Sequence, residues 1–377
     1  MLLLLALRNQ KSYWINRKTI TKYKGIKNLQ KDLRIVIPAF RTGETIRNCI
    51  HAILEAMTFH TSWEIIVVDN GQNPNLELLL KDFNVKILQR DEIHSAAYAR
   101  NEGTKNFLTG ILVFIDSDVV CEKDCIRNLI KPLQENLCDA TIGNYSKNIK
   151  GLSFSQKYKQ IYINHIYSRD GSHIKNDFWT AICCVDAIVF HKLGGFNTNF
   201  KGANGEDQEF GIRLTQKGFT VLSVKNANGQ HLNPYGVLNI MKNDLKKGLT
   251  AVHNSLENNV PLSDNRHSKM RDILAVFFSI ITIVFLLFST INEHLLFGSL
   301  LALVMWHLCR ISLCRTFFQI GGLIFFTKSL ILMFCLDLIR FTCVVIGFAK
   351  HKLTTLLTND TLNHIQFQYN NDTKIDA

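Results

Sequence analysis

"VFIDSDVV", residues 113–120, carries an apolar run into two carboxylates one residue apart, Asp116 and Asp118, and then returns to valine. An unbroken apolar run of this kind reads as a strand buried on both faces. A charged pair at the end of such a strand cannot stay buried unpaired, so it is solvated or it binds a cation. Placement on alternate residues lets both carboxylates approach one metal ion through a tight turn. An acidic helix cap ahead of Glu122 is the competing reading. A chain of this length contains about one Asp-x-Asp by chance, so the surrounding sequence has to decide.

Working outward, "LRIVIPAF" (33–40) is a short apolar strand, and 43–57 places Ile46, Ile50, Ile53 and Leu54 at helical spacing. "WEIIVVDNG" (63–71) is a second β-branched strand stopped by an Asp-Asn-Gly turn. A helix over 75–83, a strand over 85–89 and a Ser-capped helix over 95–108 lead back to the opening stretch. Strands alternating with helices predict an α/β fold, a mostly parallel sheet with helices on both faces. Ligands of such sheets sit beyond the carboxyl ends of the strands, where Asp69 and the Asp116/Asp118 pair fall. Further on, 121–136 reads as a helix and 139–147 as a strand. Residues 153–171 form an aromatic and basic helix, suited either to a membrane surface or to the core. Residues 178–231 read as irregular, with a helix over 206–216 and a strand over 220–227.

Among the 377 residues the formal net charge is +12, and the basic residues crowd into 8–31 and 242–271. Both clusters flank apolar segments, which marks a cytoplasmic membrane face, and no RNA-recognition or zinc-finger signature argues for nucleic acid. Ten cysteines without a regular framework suit reduced thiols in a cytoplasmic domain. The apolar start "MLLLLALRNQK" is too short to span a bilayer and lacks a cleavage pattern, which leaves an interfacial segment or a start-site artefact rather than a signal peptide. Residues 273–291 carry no charge and are long enough to span; 295–313 and 329–348 are further candidates, with Arg310 near an end of one and Asp337 and Arg340 facing each other at i,i+3 in the other. The expected organisation is a basic N-terminal segment (1–31), a catalytic domain (32–250), a basic linker (251–272), a membrane region of two or three helices (273–349) and a polar tail (350–377). The expected location is the inner (plasma) membrane with the catalytic domain cytoplasmic.

A second constellation is "GGFNTNFKGANGEDQEFGIRL" (194–214), in which a glycine-rich loop delivers Glu206 and Asp207 to the start of an amphipathic helix. Acidic residues in a first helical turn also serve as plain caps. The motifs in order are "IVIPAF", "IIVVDNG", "AYARNEG", "VFIDSD" and "GGFN…GEDQEFGIRL". In that order the chain resembles the family-2 glycosyltransferases over about residues 33–231. The resemblance implies the nucleotide-diphospho-sugar transferase fold (GT-A type) and inverting sugar transfer. It puts Pro38, Ala39 and Asp69 at the nucleotide, Arg100 near its phosphate or base, and Asp116 at the ribose. Asp118 and, by a looser match, His231 would hold Mg2+ or Mn2+ against the diphosphate. Glu206 joins the substrate-binding set, and Asp207 matches the general base. No Q-x-x-R-W follows the base, which argues against a processive synthase. The implied activity is transfer of a single sugar from a nucleotide-diphospho-sugar to a lipid-linked or membrane-proximal glycan acceptor, in polysaccharide or glycolipid assembly. The alternatives are a polyprenyl-phosphate sugar synthase and a non-catalytic nucleotide-sugar-binding scaffold.

Overall fold

The computed structural model describes residues 31–372, apart from positions 72, 91, 170, 171, 201–204, 235 and 265. The N-terminal segment expected over 1–31 thus lies, except for Lys31, outside the described residues.

The first half follows the alternating pattern: β1 (Leu33–Ala39), α1 (Thr45–Ala56), β2 (Trp63–Asp69), α2 (Leu76–Leu80), β3 (Lys86–Gln89), α3 (Ala96–Thr104) and β4 (Ile111–Ile115). These strands pair in parallel in the order β3-β2-β1-β4. Every residue of β4 is buried, as its unbroken apolar run requires. On α1, Ile46, Ile50 and Ile53 turn one buried stripe to the sheet. Ser95 caps α3 by accepting from Tyr98 N at 3.2 Å.

Next come β5 (Val119–Cys121), α4 (Cys125–Gln134), β6 (Ala140–Tyr145), α5 (Phe154–Arg169), β7 (His173–Ile174), β8 (Ile182–Asp186), α6 (Ala187–Lys192), α7 (Glu206–Gln216), β9 (Val221–His231) and α8 (Val237–Glu257). The sheet continues β4-β8-β6-β9-β5, with β7 on β9. β8 runs antiparallel to both β4 and β6, so the sheet is parallel over its first four strands and mixed beyond them. β8 and α6 lie in the stretch that reads as irregular. The strand is only five residues long, and its centre is Cys183 and Cys184, which behave here as small buried hydrophobes. α5 is a core helix. Asn164 Nδ2 donates to Tyr145 O on the sheet side, and on the other side Tyr158 meets Phe317 with ring centroids 5.1 Å apart.

Two helices, α9 (Met270–Phe288) and α10 (His294–Asp372), are long and apolar enough to cross a bilayer. At ~1.5 Å per residue, α9 is about as long as the ~30 Å hydrocarbon core is thick. α10 is broken at Gly322, whose φ of 75° and ψ of −177° only glycine adopts without strain. Its two parts pack on each other: Trp306 Nε1 donates to Asp337 Oδ2 at 2.9 Å, and Phe317 meets Phe325 at 5.7 Å. Asp337 does meet Arg340, at 3.0 Å, but within a larger group. Arg310 pairs with Asp337 and Asp272, Arg340 with Asp244, and Arg169 with Asp272. Arg310 is therefore deep between helices rather than at an end. α8 crosses residue 250, where the catalytic domain is expected to end.

Candidate active site

The turn after β4 is held from both sides. Asp116 N donates to Ala181 O at 3.2 Å, and Asp118 O accepts from Leu232 N at 2.8 Å. Antiparallel pairing of β5 with β9 sets Val119 opposite His231. That register brings the imidazole Nε2 to 3.4 Å from Asp118 Oδ2. Burial, then the Asp116 charge, pushes the Asp118 carboxyl up to about 6, against Asn233 and Lys159. Burial, then Lys159 and Lys247, holds His231 well below the usual histidine range, so its ring is the neutral form that binds metals.

Arg100, on α3, is 3% exposed and joins the two acidic motifs. Its Nη2 donates to Asp116 Oδ1 and its Nη1 to Glu206 Oε1, each at 2.9 Å. Burial works to lower its pKa, but Asp116 and Glu206 outweigh this and hold it above its ordinary value. The neighbouring Asn101 clasps the Gly-Gly-Phe turn through Phe196, donating to its O at 2.8 Å and accepting from its N at 2.9 Å. Arg213, near the end of α7, donates to Leu193 O and Gly195 O of the same turn at 2.6 and 2.8 Å. The motifs separated in sequence are thus one hydrogen-bonded frame around the start of α7.

Gly205 precedes α7 with φ of 90°, and a Cβ there would collide with Thr250 Cγ2 of α8. This left-handed turn presents Glu206 and Asp207. Burial and then Glu206 push the Asp207 carboxyl up to about 6, with Lys247 and Arg100 pulling the other way. A base whose pKa lies near neutrality is suited to proton abstraction.

One cavity of about 690 Å³ holds the site together. Pro38, Ala39 and Asn70 line it, as do Arg100, Asp116, Asp118, His231, Glu206 and Asp207. Asp69 does not line it. Its carboxylate is engaged in its own turn, accepting from Gly71 N at 3.1 Å, Asn73 N at 3.0 Å and Asn73 Nδ2 at 2.5 Å. α9 adds Asp272, Ile273 and Val276 to the cavity lining, and α10 adds Arg310, Leu336, Arg340, Cys343 and Val344.

Groups lining the cavity outside the motifs include Lys159, Lys247 and Asp177. Lys159 (α5) and Lys247 (α8) face it, and burial followed by Lys247 brings the Lys159 ammonium down to about 7. Asp177 lies ahead of β8, one residue before the stretch that reads as irregular and in none of the motifs, so nothing in the sequence marks it. Lys159 and Lys247 sit in basic runs that look like solvated faces; only the packing of α5 and α8 turns them inward. For a divalent cation, Asp118 and His231 supply one oxygen and one nitrogen, and no group of three metal-binding side chains forms among the described residues. Two protein ligands fit Mg2+ or Mn2+ that completes its shell with substrate phosphates and water.

Residues 34–193 match the family model for Glycosyl transferase family 2. The chain is 29% identical over 118 residues to glycosyltransferase GlyG of Streptococcus pneumoniae, covering 30% of this chain and 38% of that protein. It is 23% identical over 211 residues to glycosyltransferase AglE of Haloferax volcanii, covering 54% and 68% respectively. The matched stretch therefore spans well under half of the first relative and about two thirds of the second. The mannosyltransferase PcManGT from Pyrobaculum calidifontis, solved with GDP-Man and Mn2+, superposes with a TM-score of 0.53 at 12% identity, covering 85% of this chain and 88% of that one. That likeness is one of fold: a mixed α/β sheet of the GT-A type. From β1 through α6, the stretch that builds the parallel half of the sheet and positions Arg100, Asp116 and Asp118 is the stretch that matches the glycosyl transferase family 2 model.

Proposed function

We propose that the chain is a membrane-anchored, metal-dependent, inverting glycosyltransferase that moves one sugar from a nucleotide-diphospho-sugar to a lipid-linked acceptor. The observation that carries this reading is that Asp118, His231 and Asp207 line the same cavity as residues of the long apolar helices α9 and α10. The nucleotide sits by Pro38, Ala39 and Asn70, and its diphosphate reaches Asp118 and His231. A divalent cation held there, Mg2+ or Mn2+, supplies Lewis-acid stabilisation of the leaving diphosphate. Asp207 takes the proton of the acceptor hydroxyl as its oxygen bonds to the anomeric carbon, and the carbon–diphosphate bond breaks on the opposite face. Lys159 and Lys247 add positive charge on the leaving-group side. Large side chains on α9 and α10, among them Phe277, Phe297, Leu301, Ile324 and Ile331, are more than half exposed, as expected of a surface that faces lipid. Lys242, Lys246 and Lys269 ahead of α9, with Arg271 in its first turn, support a cytoplasmic catalytic domain.

A donor panel of UDP-glucose, UDP-galactose, UDP-N-acetylglucosamine and GDP-mannose, incubated with membrane-lipid extract, tests this reading. Nucleoside diphosphate release from at least one donor, abolished by a chelator and restored by Mn2+, is the expected result. Metal-dependent nucleotide binding with no release from any donor would mean a binding scaffold instead.

A further inference from the structure

Asp177 is 4% exposed and lines the cavity, yet its Oδ2 has no hydrogen-bond partner among the described residues. A buried acceptor left unsatisfied is costly, and such atoms persist where a ligand completes them. The residue is also rigidly placed. Gly211 lies one helical turn after Asp207, and a Cβ there would collide with the Asp177 carbonyl carbon, so the backbone at 177 rests directly on α7. Thr215, a turn further on, donates to Asn176 Oδ1 at 2.9 Å and accepts from Asn176 N at 3.2 Å. Phe178 packs edge-on to Phe210 at 5.4 Å. Positions 207, 211 and 215 share one helix face, so the contacts that seat Asp177 also set it beside the base. Burial pushes its carboxyl up to about 7, with Arg266 opposing and Asp207 adding to the rise. Near neutral pH the group thus both donates and accepts hydrogen bonds.

The chemistry narrows the ligand. The nucleotide is assigned to other lining residues, Pro38, Ala39 and Asn70, and a carboxyl beside a second carboxylate is a poor partner for phosphate. A neutral polyol fits. Resting on the glycosyltransferase reading, we propose that Asp177 hydrogen-bonds a hydroxyl of a sugar ring at the reacting centre and helps select which sugar is handled. The ring belongs either to the donor or to the acceptor, and the two are separable.

The test compares detergent-solubilised full-length wild type, Asp177→Asn and Asp177→Leu. Affinities for UDP, GDP and the four-donor panel with Mn2+ are measured by calorimetry, and donor and acceptor KM with membrane-lipid extract. If the hydroxyl is the donor's, Asp177→Leu loses about tenfold or more of the extra affinity that the sugar adds to the nucleotide. Affinity for bare UDP or GDP stays within about twofold of wild type. If it is the acceptor's, donor affinities hold and the acceptor KM rises by a similar factor. The isosteric Asp177→Asn retains part of the effect in either case. Unchanged sugar affinity and unchanged acceptor KM overturn the proposal. So does an equal loss for sugar-bearing and bare nucleotides in both variants, which marks a purely structural role. Absence of transfer from every donor by wild type sinks the glycosyltransferase reading and the acceptor arm with it, and unchanged sugar affinity on calorimetry then overturns the donor arm as well.

Discussion

Arg100 donates to two carboxylates on different elements, and this double use makes it the residue on which the site's shape most depends. Glu206 is as buried as Arg100, so truncating the arginine takes a guanidinium partner from a buried carboxylate. Arg100→Ala is expected to destabilise the folded domain by about 3–5 kcal/mol, read as a lowered unfolding temperature in detergent; an unchanged melt would mean that the pair is dispensable. Lysine cannot reproduce the forked geometry, so Arg100→Lys should restore stability only in part. Asp207 makes a pH prediction. Its folded pKa is raised to about 6, by burial and then Glu206 against Lys247 and Arg100, and Asp177 lies beside it. A base works only when deprotonated, so kcat/KM should be low in acid and rise through about pH 6; a flat profile from pH 5 to 8 would remove Asp207 from that role. Of these residues, Arg100, Asp116, Asp118, Asp207 and His231 are marked by sequence because each sits in or beside a motif. Asp177 and Lys159 are not, since a lone aspartate in a loop and a lysine on a helix carry no signature until tertiary packing turns them inward.

At the level of elements, α8 shows why half of the architecture is harder to read than the other half. Its cavity stripe is Ile240, Asn243, Asp244, Lys247, Gly248, Ala251 and Val252, which share one face, but between apolar ends its middle is polar, charged or glycine because it lines a site rather than fills a core. The apolar pattern that reveals α1 is therefore absent, and the helix continues to Glu257, past the point where a linker is expected. The parallel half, β1 to β4, is legible because β1, β2 and β4 each centre on a buried apolar run. β8 is not, because it is short and joins the sheet antiparallel, by long-range pairing. Gly248 lets α8 lie close on α10, since a Cβ there would come within 2.7 Å of Cys343 Sγ. Gly248→Leu should cost about 1–3 kcal/mol by overpacking and displace Lys247. The expected readout is a lower kcat with nucleotide affinity largely kept; wild-type kcat would show that the helix tolerates the shift.

Across the whole molecule, the catalytic domain and the apolar helices are joined by Arg169, Arg310 and Arg340 with Asp244, Asp272 and Asp337, three charges of each sign. Asp337 is fully buried and serves both Arg310 and Arg340, so Asp337→Leu leaves two guanidinium groups short of a partner. About 3–5 kcal/mol should be lost, seen as earlier unfolding and faster proteolysis between α8 and α10; adding Arg310→Met should recover part of it. Failure of the second change to recover stability would show that the charges do not act together. The sequence shows the i,i+3 pair of Asp337 and Arg340 but not its partners, which come from helices far apart in the chain. This junction, neutral in formal charge, ties α8 to α10, and both helices line the cavity. All of this turns on Asp207 acting as the base. The most direct measurement is sugar transfer by Asp207→Asn alongside its Mn2+-dependent nucleoside diphosphate binding. The expected result is transfer reduced by about 10²–10⁴-fold with binding unchanged, whereas transfer at the wild-type rate would contradict the assignment.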